Sequence, residues 1–246
     1  MKQADVSTEE KPKGKSFSLI EYAIFLILAI GSFLFYNFGP GATPHAVSVE
    51  EIPAYNGHAY AVINDNEPLL DTDEPAADSY EFYSELDSLG RCGYAMACIG
   101  PDLMPTEDRE SISTVKPSGW VQAQYDFVEA KNLYNRCHLI GFQLTGENAN
   151  KQNLITGTRY LNTQGMLPFE NMVADYIKET GNHVLYRVTP IYEGEDLVAS
   201  GVQLEAWSVE DEGEGICFHV YVYNVQPGVI IDYATGESRP DPEYAP

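Results

Sequence analysis

Basic residues are scarce in this chain. Fourteen Lys and Arg stand against 37 Asp and Glu, leaving a formal net charge of -23. Such a balance excludes a surface that attracts polyanions over its whole extent, so any contact with nucleic acid has to be local. Cysteine is sparse as well. Cys92, Cys98, Cys137 and Cys217 are too few for a disulfide scaffold and lack the paired C-x2-C spacing of a zinc site. In an oxidising compartment one pair is available to form a bridge, with Cys92 opposite Cys98 or Cys137 as the candidates. Internal repeats are absent, and so is any motif that reads base edges. What remains is ordinary: 44% hydrophobic and 12% aromatic content over 246 residues, enough to build the core of one domain with an appendage.

Charge is nearly missing from one further place. From Phe17 to Phe38 the only formal charge is Glu21, and as a helix this run spans about 33 Å, enough to cross a bilayer. Lys11, Lys13 and Lys15 precede it, and no basic residue follows until Arg91. The positive-inside bias therefore expects a cytoplasmic tail at 1–16, a transmembrane helix at 17–38 and the rest of the chain outside the cell. A cleaved secretory signal is the competing reading. The length of the run and the poor fit of Ala42-Thr43-Pro44-His45-Ala46 as a cleavage site favour an uncleaved anchor.

Gly39-Pro40-Gly41-Ala42-Thr43-Pro44 opens a linker over 39–51, because these residues neither continue a helix nor start a strand. The folded domain is expected over 52–246, with the acidic run Asp71 to Asp78 as a solvated loop. Leu167 to Asn171 opens a helical pattern with Pro168 in its first turn and Gly181 at its end. In that pattern Phe169, Met172, Val173, Tyr176 and Ile177 share one face, and Glu170 falls beside the stripe. The β-rich runs 183–189, 197–207 and 216–223 follow as consecutive antiparallel strands. Asp211-Glu-Gly-Glu-Gly215 is the turn between the last two. The expected class is α+β with a central antiparallel sheet.

Among chemistry-bearing residues, His138 beside Leu139, Ile140 and Phe142 reads by itself as an ordinary semi-buried histidine. Its company changes that reading. Arg136 lies just before it, and Asn153, Asn162 and Glu170 follow. Phosphodiester hydrolysis asks for such a set: a base for water, oxygen ligands for a hard cation, and positive charge near the phosphate. Singly, each has a plainer role as a cap, a turn or a first-turn carboxylate. Arg159, Arg187, His183 and His219 lack motif support and read as ordinary strand or helix residues.

The stretches Tyr134 to Leu144, Asn153 to Asn162 and Val225 to Glu237 together resemble the DNA/RNA non-specific endonuclease family, in particular its membrane-anchored bacterial DNA-entry branch. The likeness runs from about Ser118 to Glu237 and more weakly back to about Ile52. It implies a ββα-metal active-site motif, with the family's Asp-Arg-Gly-His falling on Asn135, Arg136, Cys137 and His138. His138 is then the general base, Asn162 the ligand of Mg²⁺ or of Mn²⁺ in its place, and Asn153 the first family asparagine. Glu170 holds or orients a metal-bound water. Arg136 faces either the phosphate or the fold interior. Asn135 and Cys137 depart from the family pattern, removing a carboxylate beside the base and placing a side chain where glycine is usual.

For the family's upstream basic residue the candidates are Arg109 and Lys116. The implied activity is cleavage of DNA, with RNA left open as a second substrate, by in-line attack of water. Given the net charge, the substrate path must be a narrow basic one around Arg136, Lys131, Lys151 and Arg159. The alternative from another class is a surface-anchored binding or scaffold protein that kept the fold and lost catalysis.

Overall fold

The computed structural model describes residues 51–72 and 78–244. The expected tail, transmembrane helix and nearly all of the linker lie outside the described residues, as does most of the acidic run. Among the described residues no helix is long and apolar enough to cross a membrane.

The described residues form ten strands and two α-helices, in chain order β1 (Tyr60–Val62), β2 (Tyr80–Tyr83), β3 (Ala95–Ile99), β4 (Tyr134–His138), α1 (Phe142–Thr145), β5 (Leu154–Thr158), α2 (Leu167–Thr180), β6 (Val184–Ile191), β7 (Gly201–Ser208), β8 (Cys217–Tyr223), β9 (Val229–Ile231) and β10 (Ser238–Pro240). A six-stranded antiparallel sheet has the order β1-β8-β7-β6-β3-β2, while β4 pairs only with β5 and β9 only with β10. The three strands expected after the helix are thus present, consecutive and antiparallel. Residues 197–200 are the exception, because the strand begins only at Gly201. The turn between β7 and β8 uses Glu212 and Gly213, both at positive φ.

Strand alternation decides the two faces of the sheet. Ala97, Tyr186, Ala206 and Phe218 form one cross-strand row, and Val188, Leu204 and Val220 another. This face packs with Leu161, Met166, Phe169, Val173, Ala174 and Ile177 into the main core. On the opposite face Arg187, Glu205 and His219 stand in one row. There Arg187 Nε donates to Glu205 Oε2 at 2.7 Å, and the Leu69 amide donates to Glu205 Oε1 at 2.7 Å. Arg187 and His219 therefore have the structural roles that the sequence suggested.

The expected helix is present and stops at Gly181, whose φ of 75° is the left-handed cap that glycine adopts without strain. Met172 departs from the expected apolar face and is exposed, with Ala174 buried in its place. Helical backbone also begins earlier than Pro168 announces. A π-helical turn covers Leu161–Met166, in which the Leu167 amide donates to the Asn162 carbonyl five residues back. Proline has no amide hydrogen to donate to the preceding turn, which favours a register change at this point.

No disulfide joins the four cysteines. The candidate bridge is not formed: Cys92 directs its thiol at the carbonyls of Lys151 and Leu154 while Cys137 engages Asn162 and Met166.

One buried side chain ties the β4–β5 hairpin to the end of β8. Asn224, wholly buried beyond the end of β8, accepts from the Thr158 amide at 2.8 Å and donates to the carbonyls of Thr156 at 3.0 Å and Ala199 at 2.9 Å. Replacing it with alanine orphans three buried backbone groups. Asn224→Ala is expected to lower the free energy of unfolding by about 3 kcal/mol or more, measured by urea titration. Asn224→Asp, which cannot donate, should recover only part of that loss.

Candidate functional site

A polar cavity of about 450 Å³ opens where β4, the π-turn and the start of α2 meet. Arg109, Trp120, Asn135, Arg136, His138 and Gly141 line it, together with Arg159, Asn162 and Glu170. The order strand, strand, helix over β4, β5 and α2 thus brings four of the five expected site residues, Arg136, His138, Asn162 and Glu170, to one place.

His138 ends β4 and is almost wholly buried. Its Nε2 lies 2.8 Å from the Asn148 carbonyl and its Nδ1 lies 3.3 Å from Arg109 Nη2. A carbonyl can only accept and a guanidinium can only donate, so both contacts assign the same tautomer. The proton sits on Nε2, and Nδ1 keeps its lone pair. Desolvation holds the imidazole below its usual value of 6.5; the Asn148 carbonyl opposes this, and the Arg109 charge reinforces it. The ring is therefore neutral at pH 7 and able to take a proton at Nδ1.

Glu170, in the first turn of α2, has its carboxyl pushed up to about 7 by burial, with Arg109 and Gln143 opposing the shift. Its position depends on Gly141, where a Cβ would lie 2.7 Å from Glu170 Oε2. Asn162 lies in the π-turn, and its Oδ1 accepts from the Cys137 thiol at 3.0 Å. Burial pushes that thiol well above its ordinary range, so it stays protonated. An amide oxygen and a carboxylate in a glycine-made recess suit a hard divalent cation that keeps several of its waters. Among the described residues no group of three or more His, Cys, Asp or Glu is placed to hold a metal, so a cation here would rest on few protein ligands.

Arg136 resolves the choice left open by the sequence. It lines the cavity, yet its Nε donates to the Val115 carbonyl and its Nη2 to the Ser113 carbonyl at 2.9 Å. Its guanidinium stacks over Trp120, 4.3 Å from the ring centroid. It therefore pins the 113–120 segment to the wall of the cavity and adds positive charge there.

Asn153 lies off the cavity. Wholly buried, it accepts from the Ile140 amide at 2.9 Å and donates to the Ile140 carbonyl at 3.0 Å. Absent from the lining, it shapes the turn after β4 and does not reach the cavity.

Of the basic path expected from the sequence, Arg136 and Arg159 reach the cavity. Lys131 is paired with Asp126 at the surface, and Lys151 and Lys116 are absent from the lining. Arg109 is the upstream basic residue that does arrive. Gly141, Trp120 and the Asn148 carbonyl escaped the sequence reading. An isolated Gly after an apolar pair and an isolated Trp carry no periodic signature, and any residue has a carbonyl.

A family model described as DNA/RNA non-specific endonuclease matches residues 72–210. Among solved structures, NucA from Streptococcus agalactiae with no metal bound superposes with a TM-score of 0.68 at 26% identity, covering 79% of this chain and 92% of that one. The same nuclease with magnesium ion bound gives 0.65 at 28% identity, over 73% and 86% of the two chains. Sda1 nuclease with bound zinc ion gives 0.61 at 28% identity, over 75% and 97%. Gly141→Ala pushes against the Glu170 carboxylate, and it is expected to leave unfolding cooperative while weakening Mn²⁺ binding by about 10- to 100-fold. Calorimetric titration checks the binding and a thermal melt checks the fold.

Proposed function

The chain belongs to the DNA/RNA non-specific endonuclease family, and from that membership we propose that it cuts DNA, and RNA where offered, without sequence preference, with His138 as general base. The observation that carries this reading is the His138 tautomer: a neutral buried imidazole whose unprotonated Nδ1 faces the cavity, where Arg109 would exchange its contact with Nδ1 for the phosphate.

In this mechanism His138 Nδ1 draws the proton from the attacking water. The Nε2–H stays on the Asn148 carbonyl, which steadies the imidazolium that forms and does part of the work of the carboxylate that Asn135 does not supply. Asn162 Oδ1 would hold Mg²⁺ or Mn²⁺, with the Glu170 carboxylate holding or orienting a metal-bound water, and the cation would offset the negative charge that develops on the phosphate oxygens. Arg109, exposed at the mouth, meets the phosphate. Arg136 keeps the 113–120 wall in place and, with Arg159, makes the local positive field that the chain otherwise lacks. Phosphate contacts carry no sequence information, in keeping with non-specific cleavage. Asn153 acts at one remove, by holding Ile140 and so the turn that presents Gly141.

Nicking of supercoiled plasmid by the purified chain with Mg²⁺ tests the activity. Intact plasmid at high enzyme concentration would sink the nuclease in favour of a binding or scaffold protein. His138→Ala is expected to cost at least about 10²-fold in rate, and undiminished cleavage would remove it as the base. Because burial favours the neutral ring, the base stays competent through the ordinary histidine range. At Mg²⁺ high enough to keep Glu170 ionised, the acid limb of kcat/KM should accordingly fall below pH 6.5, not at it.

The apolar run at 17–38 supports an uncleaved anchor, with a cytoplasmic tail at 1–16, a linker at 39–51 and the nuclease domain at 52–246 outside the cell. Alkaline carbonate washing of membranes tests this. The full chain is expected in the pellet and a chain starting at Ile52 in the supernatant, whereas a soluble, shortened full chain would point to a cleaved signal.

A further inference from the structure

Position 137 is where this chain departs most from the motif it resembles, and the departure has a partner. Cys137 is wholly buried on β4. Its side chain fits because its diagonal neighbour on β5, two residues past its partner Ile155, is Gly157. A Cβ at 157 would lie 2.6 Å from Cys137 Cβ and 2.8 Å from Leu161 Cδ2. The bulk is on β4 and the space is on β5.

The thiol so placed reaches two acceptors. Asn162 Oδ1 lies at 3.0 Å and Met166 Sδ at 3.7 Å, and the amide oxygen is the better acceptor of the single proton. Asn162 needs such a partner. The last torsion of an asparagine is broad and roughly two-fold, so an unheld amide presents either its oxygen or its NH₂. Only the oxygen is a ligand for a hard cation, and the NH₂ would repel it. An amide oxygen has two lone pairs, so accepting from the thiol leaves one for the cation.

We propose that Cys137 is a positioning residue, whose S–H bond to Asn162 Oδ1 selects the amide orientation that binds the divalent cation. This rests on the reading that Asn162 is a metal ligand. The cysteine thereby supplies an orienting donor that glycine at this position has no side chain to provide.

The test counts bound Mn²⁺ by electron paramagnetic resonance on the full chain in detergent, beside a thermal melt of each variant. Asn162→Ala should abolish tight Mn²⁺ binding. Cys137→Ala, which removes only the donor, should weaken it by about fivefold, the worth of one ordinary hydrogen bond. Cys137→Ser, which restores a donor, should return to within about twofold of the native chain.

Native binding in Cys137→Ala alongside loss in Asn162→Ala overturns the proposal and leaves the Asn162 reading standing. Unchanged binding in Asn162→Ala overturns the reading itself. Equal weakening in the alanine and serine variants shows that only the volume of Cys137 matters, and overturns the positioning role. A second measurement does not depend on any Cys137 variant folding. The infrared S–H stretch of the buried thiol should move to higher frequency in Asn162→Ala, and an unmoved band would refute the bond.

Discussion

The β4–β5 hairpin carries His138 and Arg136 but shares no strand pairing with the six-stranded sheet. Its position relative to the helix that carries Glu170 therefore depends on side chains. Asn224 supplies the central link, with one amide taking the place of a ladder between the end of β5 and the end of β8. A made hydrogen bond contributes only about 1 kcal/mol net, whereas a buried backbone group left without a partner costs about 1–3 kcal/mol. The hairpin is thus held less by the gain of three bonds than by the cost of any other placement. Asn153 repeats the device one turn further along, where its two bonds to Ile140 set the path of the chain into Gly141.

These two amides make the geometry, and local charge makes the chemistry. At a net charge of -23 the chain as a whole repels a polyanion. Screening limits that repulsion to about 8 Å at physiological ionic strength, so what a phosphate meets at the cavity is decided by the groups that line it. Arg109, Arg136 and Arg159 are among them, and Glu170 is the one carboxylate in the lining. Burial pushes the Glu170 carboxyl up to about 7, which weakens even that negative charge. The same desolvation keeps His138 neutral. Burial thus sets the charge state of both His138 and Glu170.

The π-turn at Leu161–Met166 connects the two themes. Its wider register lets Gly165 pack against Val222, where a Cβ would lie 2.2 Å from the valine Cγ1. It also sets Asn162 against β4, within reach of the Cys137 thiol. A regular α-turn through the same residues would rotate Asn162 by a large part of a turn relative to Glu170. The pairing of these two groups across eight residues is therefore a property of the irregular turn.

Local periodicity and residue order were enough to determine much of this protein. The alternating or β-rich runs 183–189, 197–207 and 216–223 predict consecutive antiparallel strands, and the fold buries both faces of those strands. The stripe at Phe169, Val173 and Ile177 and the stop at Gly181 predict the helix, because the register of an α-helix is set by its own backbone. The order of Arg136, His138, Asn153, Asn162 and Glu170, taken with the family resemblance it carries, points to a candidate site, and four of the five line one cavity. The tertiary structure decided what depends on residues far apart in the chain. It turned Asn153 away from the cavity, tied Arg136 to the 113–115 carbonyls, brought Arg109 to His138, exposed Met172 and kept the cysteines apart. Each of those outcomes is a choice among partners, and the partners meet only after the sheets and the helix have packed.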